Sequence, residues 1–381
     1  MLAAGHWGMT VEALIAASDR IRDRIARHGV WLARAAFVLA IVMAVEWLWG
    51  FMPGYAKPAS APPGFGDRDL YRAIVDAVAA GKGYYETAIA LHGAHGYPVD
   101  PWFTVRSPTF ALLMAKLGED LSATLALAIL FVTALAWSVA LDRARMHPLE
   151  VIAAFFAVLA GGFMMFYIAF LNHETWASLC IALGFALWQP SRQFGTALSF
   201  AVACLFREFA IVTLLLGLAG AVACRDRGRV ALWLGVLAFV AVFYGWHALN
   251  VIDARDGGGL TSQGWDGRIG PIGAMYTYVS NSIYRAGGMA IGGVLMLMTM
   301  LGWLVAGRLA WRVVPVTLGW LAVIAIFSRP DNIYWSNLIV IWFPVGLVLF
   351  PRFVVFALTG RGLPDGRTRV GKVRPRPLSA G

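Results

Sequence analysis

The residues best able to do chemistry gather just past the first apolar run of the chain. Gly66-Asp67-Arg68-Asp69-Leu70-Tyr71 is followed, after nine residues, by Gly81-Lys82-Gly83-Tyr84-Tyr85-Glu86. A carboxylate held where a helix meets a membrane boundary is partly shielded from water, and such a group is suited to take a proton from a hydroxyl as a general base. Asp67 and Asp69 would equally serve to charge a helix N-terminus, where acidic side chains oppose the macrodipole. Other chemistries lack their residues. No GxxxxGK[ST] and no strand-flanked GxGxxG is present, which removes the common nucleotide cradles. Cys180, Cys204 and Cys224 show neither CxxC nor Cys/His spacing, so neither a zinc site nor a disulfide framework is predicted. The acids of 253–266 lack EF-hand spacing, and no metal or other cofactor is expected.

The elements that must position these residues are membrane helices. The chain has 381 residues, of which 60% are hydrophobic and 14% charged, with 16 Trp and 41 Gly. Soluble domains carry about 25% charged residues, so a polytopic, all-α membrane protein is predicted and a disordered chain, a coiled coil and a small secreted module are excluded. A spanning helix needs roughly 20 apolar residues. Runs at 31–52, 121–141, 151–171, 175–188, 230–249, 287–306, 313–327 and 338–357 read as spans. The stretch 194–224 is too long for one crossing, since a single helix would reach about 46 Å through a core of about 30 Å. Arg207 and Glu208 stand at its middle, with Arg192 at one end and Arg225, Arg227 and Arg229 at the other. It therefore reads as a hairpin of two short helices with Arg207 at the tip, which brings the count to about ten hydrophobic crossings.

Charge partition supports that topology. The net charge is +10, a balance that in a soluble protein would point to nucleic acid. Here the segments placed in the cytoplasm hold 20 of the 31 basic and 7 of the 21 acidic residues, so the positive excess lies on one side, as the positive-inside rule requires. Both termini are then cytoplasmic, anionic lipid headgroups are the expected partners of the basic side, and no nucleic-acid partner is implied. The predicted organisation is a cytoplasmic amphipathic segment at 1–30, a membrane domain at 31–357 with outer loops at 53–106 and 251–286, and a basic cytoplasmic tail at 358–381. Within the first loop, 65–80 has the pattern of an amphipathic helix with Leu70, Ile74, Ala77 and Val78 on its apolar face. The second is glycine-rich and aromatic, and its acidic part, 253–266, is read as a flexible covering loop.

An acid four residues before a Tyr (Asp67 to Tyr71), a Gly-x-Gly-Tyr turn at 81–84 and the Arg-Ser-Pro-x-x-x-Leu-Leu stretch at 106–113 together resemble the integral-membrane glycosyltransferases of the GT-C superfamily. Among these the chain is most similar to the bacterial polyprenyl-phosphate-mannose-dependent mannosyltransferases. Asn172-His173-Glu174 is similar to that family's Asn-Gly-Gln turn, and Leu205-Phe206-Arg207-Glu208 to its basic break between two short helices. Arg106-Ser107-Pro108 departs from the commoner Tyr-Pro-Pro, and His173-Glu174 from Gly-Gln. The resemblance spans most of the chain in topology and about 40 residues in motif.

The resemblance implies inverting transfer of a sugar from a polyprenyl-phosphate donor to a glycan, glycolipid or protein acceptor on the outer face of a bacterial inner membrane. Asp67 keeps the family spacing for the base, and Asp69 is the alternative. A phosphate leaving group needs a permanent cation with a bidentate fork; Arg207 comes first, then Arg106 and Arg329, against simple ion pairing or snorkelling of each. His173, Glu174, Glu208, Tyr71, Tyr84, Tyr85 and Trp265 are candidates to contact the sugar or orient the base, against end-capping and an interfacial aromatic belt. Glu46, inside the first span, either serves the site or reaches the interface. A transporter or lipid flippase, which would place charges at mid-membrane in repeated halves, and a non-catalytic envelope-assembly protein are the competing classes.

Overall fold

The computed structural model describes residues 11–50 and 65–360 apart from 190, 256, 265, 266, 330 and 331, with side chains from residue 29 onward. Among them the chain is helical, with no strand beyond two isolated bridges. Thirteen α-helices follow in order: α1 (Val11–Trp49), α2 (Asp67–Ala79), α3 (Tyr84–Ala94), α4 (Thr109–Arg143), α5 (Pro148–Ala169), α6 (His173–Leu187), α7 (Phe194–Phe206), α8 (Ile211–Ala223), α9 (Arg227–Ala254), α10 (Gly270–Asn281), α11 (Gly288–Trp303), α12 (Ala310–Phe327) and α13 (Val345–Thr359). Six helices are long and apolar enough to cross a membrane, and three shorter apolar ones accompany them. Their outward faces carry large apolar side chains such as Val242, Leu249, Phe163 and Trp311. A surface of that kind is stable against lipid tails and unfavourable against water, so this is a multi-pass architecture.

One continuous helix, α1, runs through the expected N-terminal surface segment and the first span without a break. Its described part is poorly buried and touches chiefly α11 and α13. Arg34 donates from Nε to the Ala357 carbonyl (2.9 Å), and Trp47 donates to the carbonyls of Met289 and Ala290 (3.2 and 3.1 Å). Glu46 is exposed beside the buried Trp47 and takes no part in the cavity described below. The α11–α13 crossing is made close by glycine: a Cβ on Gly302 would stand 1.8 Å from the Gly346 carbonyl oxygen, and one on Gly346 would stand 2.3 Å from that of Thr299. Without a hydrophobic drive between helices in lipid, this backbone approach is what supplies van der Waals attraction.

The stretch 194–224 breaks at Arg207, whose φ and ψ of −147° and 115° leave the helical region between α7 and α8. Trp233 of α9 donates to the Gln193 side chain before α7 (2.8 Å), and its ring lies against Gly217 at the middle of α8, so one side chain of α9 meets both helices. The pair is thus folded back on itself, with Arg207 at the tip.

Three expectations need correction. The predicted span at 338–357 is a 3-10 segment (Ile333–Ile339), a run of turns and then α13. The outer loop expected at 251–286 is helical at both ends, because α9 continues to Ala254 and α10 packs against α11 and α12, burying Tyr278 and Tyr284. Finally, a helix (α3) follows the Gly-x-Gly turn, where none was read. Parts of both expected loops and most of the basic tail lie outside the described residues, as does Trp265.

Two outcomes are expected. Gly302→Leu should lower thermal stability in detergent by about 1–3 kcal/mol, because overpacking displaces α13; an unchanged melting midpoint would show that the crossing is not close-packed. In a background free of the native cysteines, Arg192→Cys and Arg227→Cys should react with an impermeant thiol reagent from the same side of a sealed vesicle. Labelling from opposite sides would refute the hairpin.

Candidate active site

A polar cavity of about 840 Å³ opens at the end of the bundle where the α7–α8 tip lies, within the usual range for small-molecule sites. The N-terminus of α2, the turn after α3, the stretch 103–106 before α4, the α5–α6 junction and the 3-10 segment at 333–339 line it. An amphipathic α2 lies over α4 and buries Leu70, Tyr71 and Ile74. This packing directs its first turn, with Asp67 and Asp69, to the cavity.

The two acids are not equivalent. Asp69 Oδ2 accepts a 2.8 Å hydrogen bond from the Gly66 backbone N–H and so closes the helix start. Asp67 is half-buried and lies near Tyr97, whose hydroxyl donates to the Phe65 carbonyl (3.5 Å). Burial pushes the Tyr97 hydroxyl up, and the Asp67 carboxylate adds to the rise. The end of α3 is held against α2 by the stacked Phe65 and His95 rings, 3.6 Å between centroids.

Behind the cavity lies a chain of alternating charge. Arg207, 1% exposed, pairs through Nε with Glu174 (2.7 Å) and through Nη1 with Glu208 (2.5 Å), and its guanidinium lies over the Phe209 ring. Glu208 reaches on to Arg106 Nη1 at 3.8 Å. Arg106 also donates weakly to Tyr71 (3.4 Å), to the Phe103 carbonyl (3.4 Å) and to Tyr334 (3.5 Å). The order of the arginines differs from the expected one. Arg207 has two carboxylates bound to it, whereas the bonds of Arg106 are long and its guanidinium faces the cavity. Burial pushes the Tyr71 hydroxyl well up despite the Arg106 charge beside it, so it remains a neutral donor.

Of the other expected site residues, Arg329 lines the cavity and donates to the Gly264 carbonyl (3.3 Å). Glu174 is buried behind Arg207. His173 packs between Tyr71 (4.7 Å) and Phe110 (4.8 Å) beneath the floor of the main cavity. Tyr84 donates to the Arg106 carbonyl (2.6 Å) and Tyr85 to His247 Nδ1 (3.2 Å), while His247 Nε2–H donates to the Val105 carbonyl (3.0 Å). Both tyrosines thus brace α3 against α4 and α9.

Asn172, from the turn matched to Asn-Gly-Gln, lines the cavity, and so do His92, Tyr97, Asn281 and Tyr334, none of which the sequence had marked. His92 and Tyr97 escaped because α3 was read as loop; with the helix recognised, their position past a Gly-x-Gly-Tyr start would have marked them. Among the described residues no group of three or more His, Cys, Asp or Glu gathers as a metal-ligand set. Comparison with protein-family models, with curated proteins and with solved structures finds no match to this chain. The cavity is therefore interpreted from its own residues.

His92 is buried and its pKa is lowered to about 4, chiefly by burial and further by the Arg106 charge. The unfolded chain therefore binds this proton at higher pH than the folded one does, and stability should fall as pH drops from 6.5 to about 4. His92→Gln should flatten the pH dependence of the melting midpoint in that interval; an unaltered slope would assign the acid sensitivity to other groups. Arg207→Met should destabilise by about 3–5 kcal/mol by leaving buried carboxylate unpaired. Adding Glu174→Gln to it should restore part of the loss in the same melting assay.

Proposed function

We propose that the chain is an integral-membrane glycosyltransferase of the GT-C kind, moving a sugar from a polyprenyl-phosphate donor to an acceptor hydroxyl with inversion. The observation that carries this reading is the pairing, in one cavity at the end of an apolar bundle, of a half-buried carboxylate, Asp67, with an under-committed guanidinium, Arg106. Asp67 accepts the proton of the acceptor hydroxyl as its oxygen attacks the anomeric carbon on the face opposite the phosphate. The bond from that carbon to the phosphate oxygen breaks, and the lipid phosphate departs with the electron pair. Arg106 meets the charge that develops on it, with Arg329 as a second cation on the rim. Arg207 serves by holding Glu208 in place beside Arg106. Tyr97 stands near the Asp67 carboxylate.

The apolar exterior fits a donor whose prenyl chain stays in the bilayer while its phosphate reaches the rim. In this reading the helices make ten crossings, the cavity faces outward from a bacterial plasma membrane, and both termini are cytoplasmic. The acceptor is a glycan, a glycolipid or a protein hydroxyl.

Asp67→Asn should lower transfer from a polyprenyl-phosphate sugar by about 10²–10⁴-fold, the range for loss of a general base, with the melting midpoint kept. Asp69→Ala should keep transfer while lowering stability by about 1 kcal/mol through loss of the cap. Measured with radiolabelled donor in membranes, full activity of the Asp67 variant would overturn the mechanism.

A further inference from the structure

His92 has one ring nitrogen bonded within the protein and the other unused at the wall of the main cavity, whereas the unpartnered Nδ1 of His173 is buried. The Nδ1 of His92 lies 2.9 Å from the Pro98 carbonyl oxygen, which Thr104 also reaches through its hydroxyl at 3.0 Å. A carbonyl only accepts, so Nδ1 carries the proton. In a neutral imidazole Nε2 is then a bare acceptor. No described residue donates to it, and the ring stands on the cavity wall. His247, by contrast, has both nitrogens bonded within the protein, to Tyr85 and to Val105. The imidazole of His92 is also fixed in place, packed edge-on to Tyr97 at 5.8 Å. The backbone N–H of Tyr97 bonds to the His92 carbonyl oxygen (2.8 Å).

We propose that His92 Nε2 is a specificity-determining contact, accepting a hydrogen bond from a hydroxyl of a sugar ring bound in the cavity. This rests on the glycosyl-transfer reading above. An acceptor left unmatched in a partly dry site costs affinity, so the ligand must bring a donor to it. Asp67 already takes the reacting hydroxyl, so His92 requires a further one. The walls supply the rest of what a sugar ring needs. Tyr97, Phe103, Tyr334 and Trp335 offer aromatic surface, and Asn281 and Asn332 offer amide groups. The ring belongs to the donor or to the acceptor, and the two sources are separable by experiment.

Diethyl pyrocarbonate acylates an unprotonated imidazole nitrogen, and peptide mass mapping reads the extent at each histidine of the full-length protein in detergent. His92 should be modified, and a sugar-bearing probe should slow its modification about tenfold, the loss of access matching one hydrogen-bonded contact. Protection by methyl α-mannopyranoside assigns the hydroxyl to the acceptor. Protection by citronellyl-phosphoryl mannose alone assigns it to the donor. Equal protection by citronellyl phosphate, protection by neither sugar, or an unreactive His92 overturns the proposal. Protection without any sugar transfer in membranes would keep the binding inference and sink the transferase reading, while transfer without protection would do the reverse. In transfer assays His92→Leu should raise KM about tenfold with kcat little changed, and His92→Gln, whose carbonyl also accepts, should restore KM.

Discussion

A guanidinium taken out of water must be met by carboxylates, and the site end of this bundle is arranged around that requirement. Arg207 sits at the only place in 194–224 where the chain leaves helical geometry, so two short helices and their tip are positioned together with its charge. Glu174, which pairs with it, lies in the first turn of α6, and Glu208 is the next residue in the chain. The pairing therefore fixes α6 against the α7–α8 tip. Through Glu208 it also fixes where Arg106, just before α4, can stand. Buried ion pairs contribute little net stability and much geometry.

The second constraint is local. Asp69 is used to start α2, and Tyr97 is brought back to α2 by the turn after α3. The result separates two acids that differ by only two positions in sequence. One has become part of a helix cap, while the other is presented to the cavity near Tyr97. His92 and His247 are separated in the same manner, by whether the second ring nitrogen finds a protein partner.

The membrane character, the hairpin break at Arg207 and the amphipathic α2 were legible because each leaves a pattern on one helix period or a charge where none belongs. The ordering of the arginines was not legible. Arg207 and Arg106 look alike in sequence, and only packing reveals that the first is held by two carboxylates at 2.7 and 2.5 Å. Likewise α3 was hidden by the glycines around Lys82, and α10 by the glycine content of 251–286, although Tyr278 and Tyr284 end up in the core. Glycine reads as a loop signal in soluble chains and as a packing residue in membrane helices. Gly302 and Gly346 show the second use within the spans.

The contacts of α1 have a consequence for the order of assembly. Its described part leans chiefly on α11 and α13, and the bond from Arg34 to the Ala357 carbonyl joins residues 323 apart. At about 5–20 residues per second of synthesis, α1 waits on the order of 15–60 s for the helices it docks against. During that interval the apolar side chains of 29–49, interrupted by charge only at Arg34 and Glu46, can rest against lipid. A helix made before its partners is thus seated only when translation of α13 is complete.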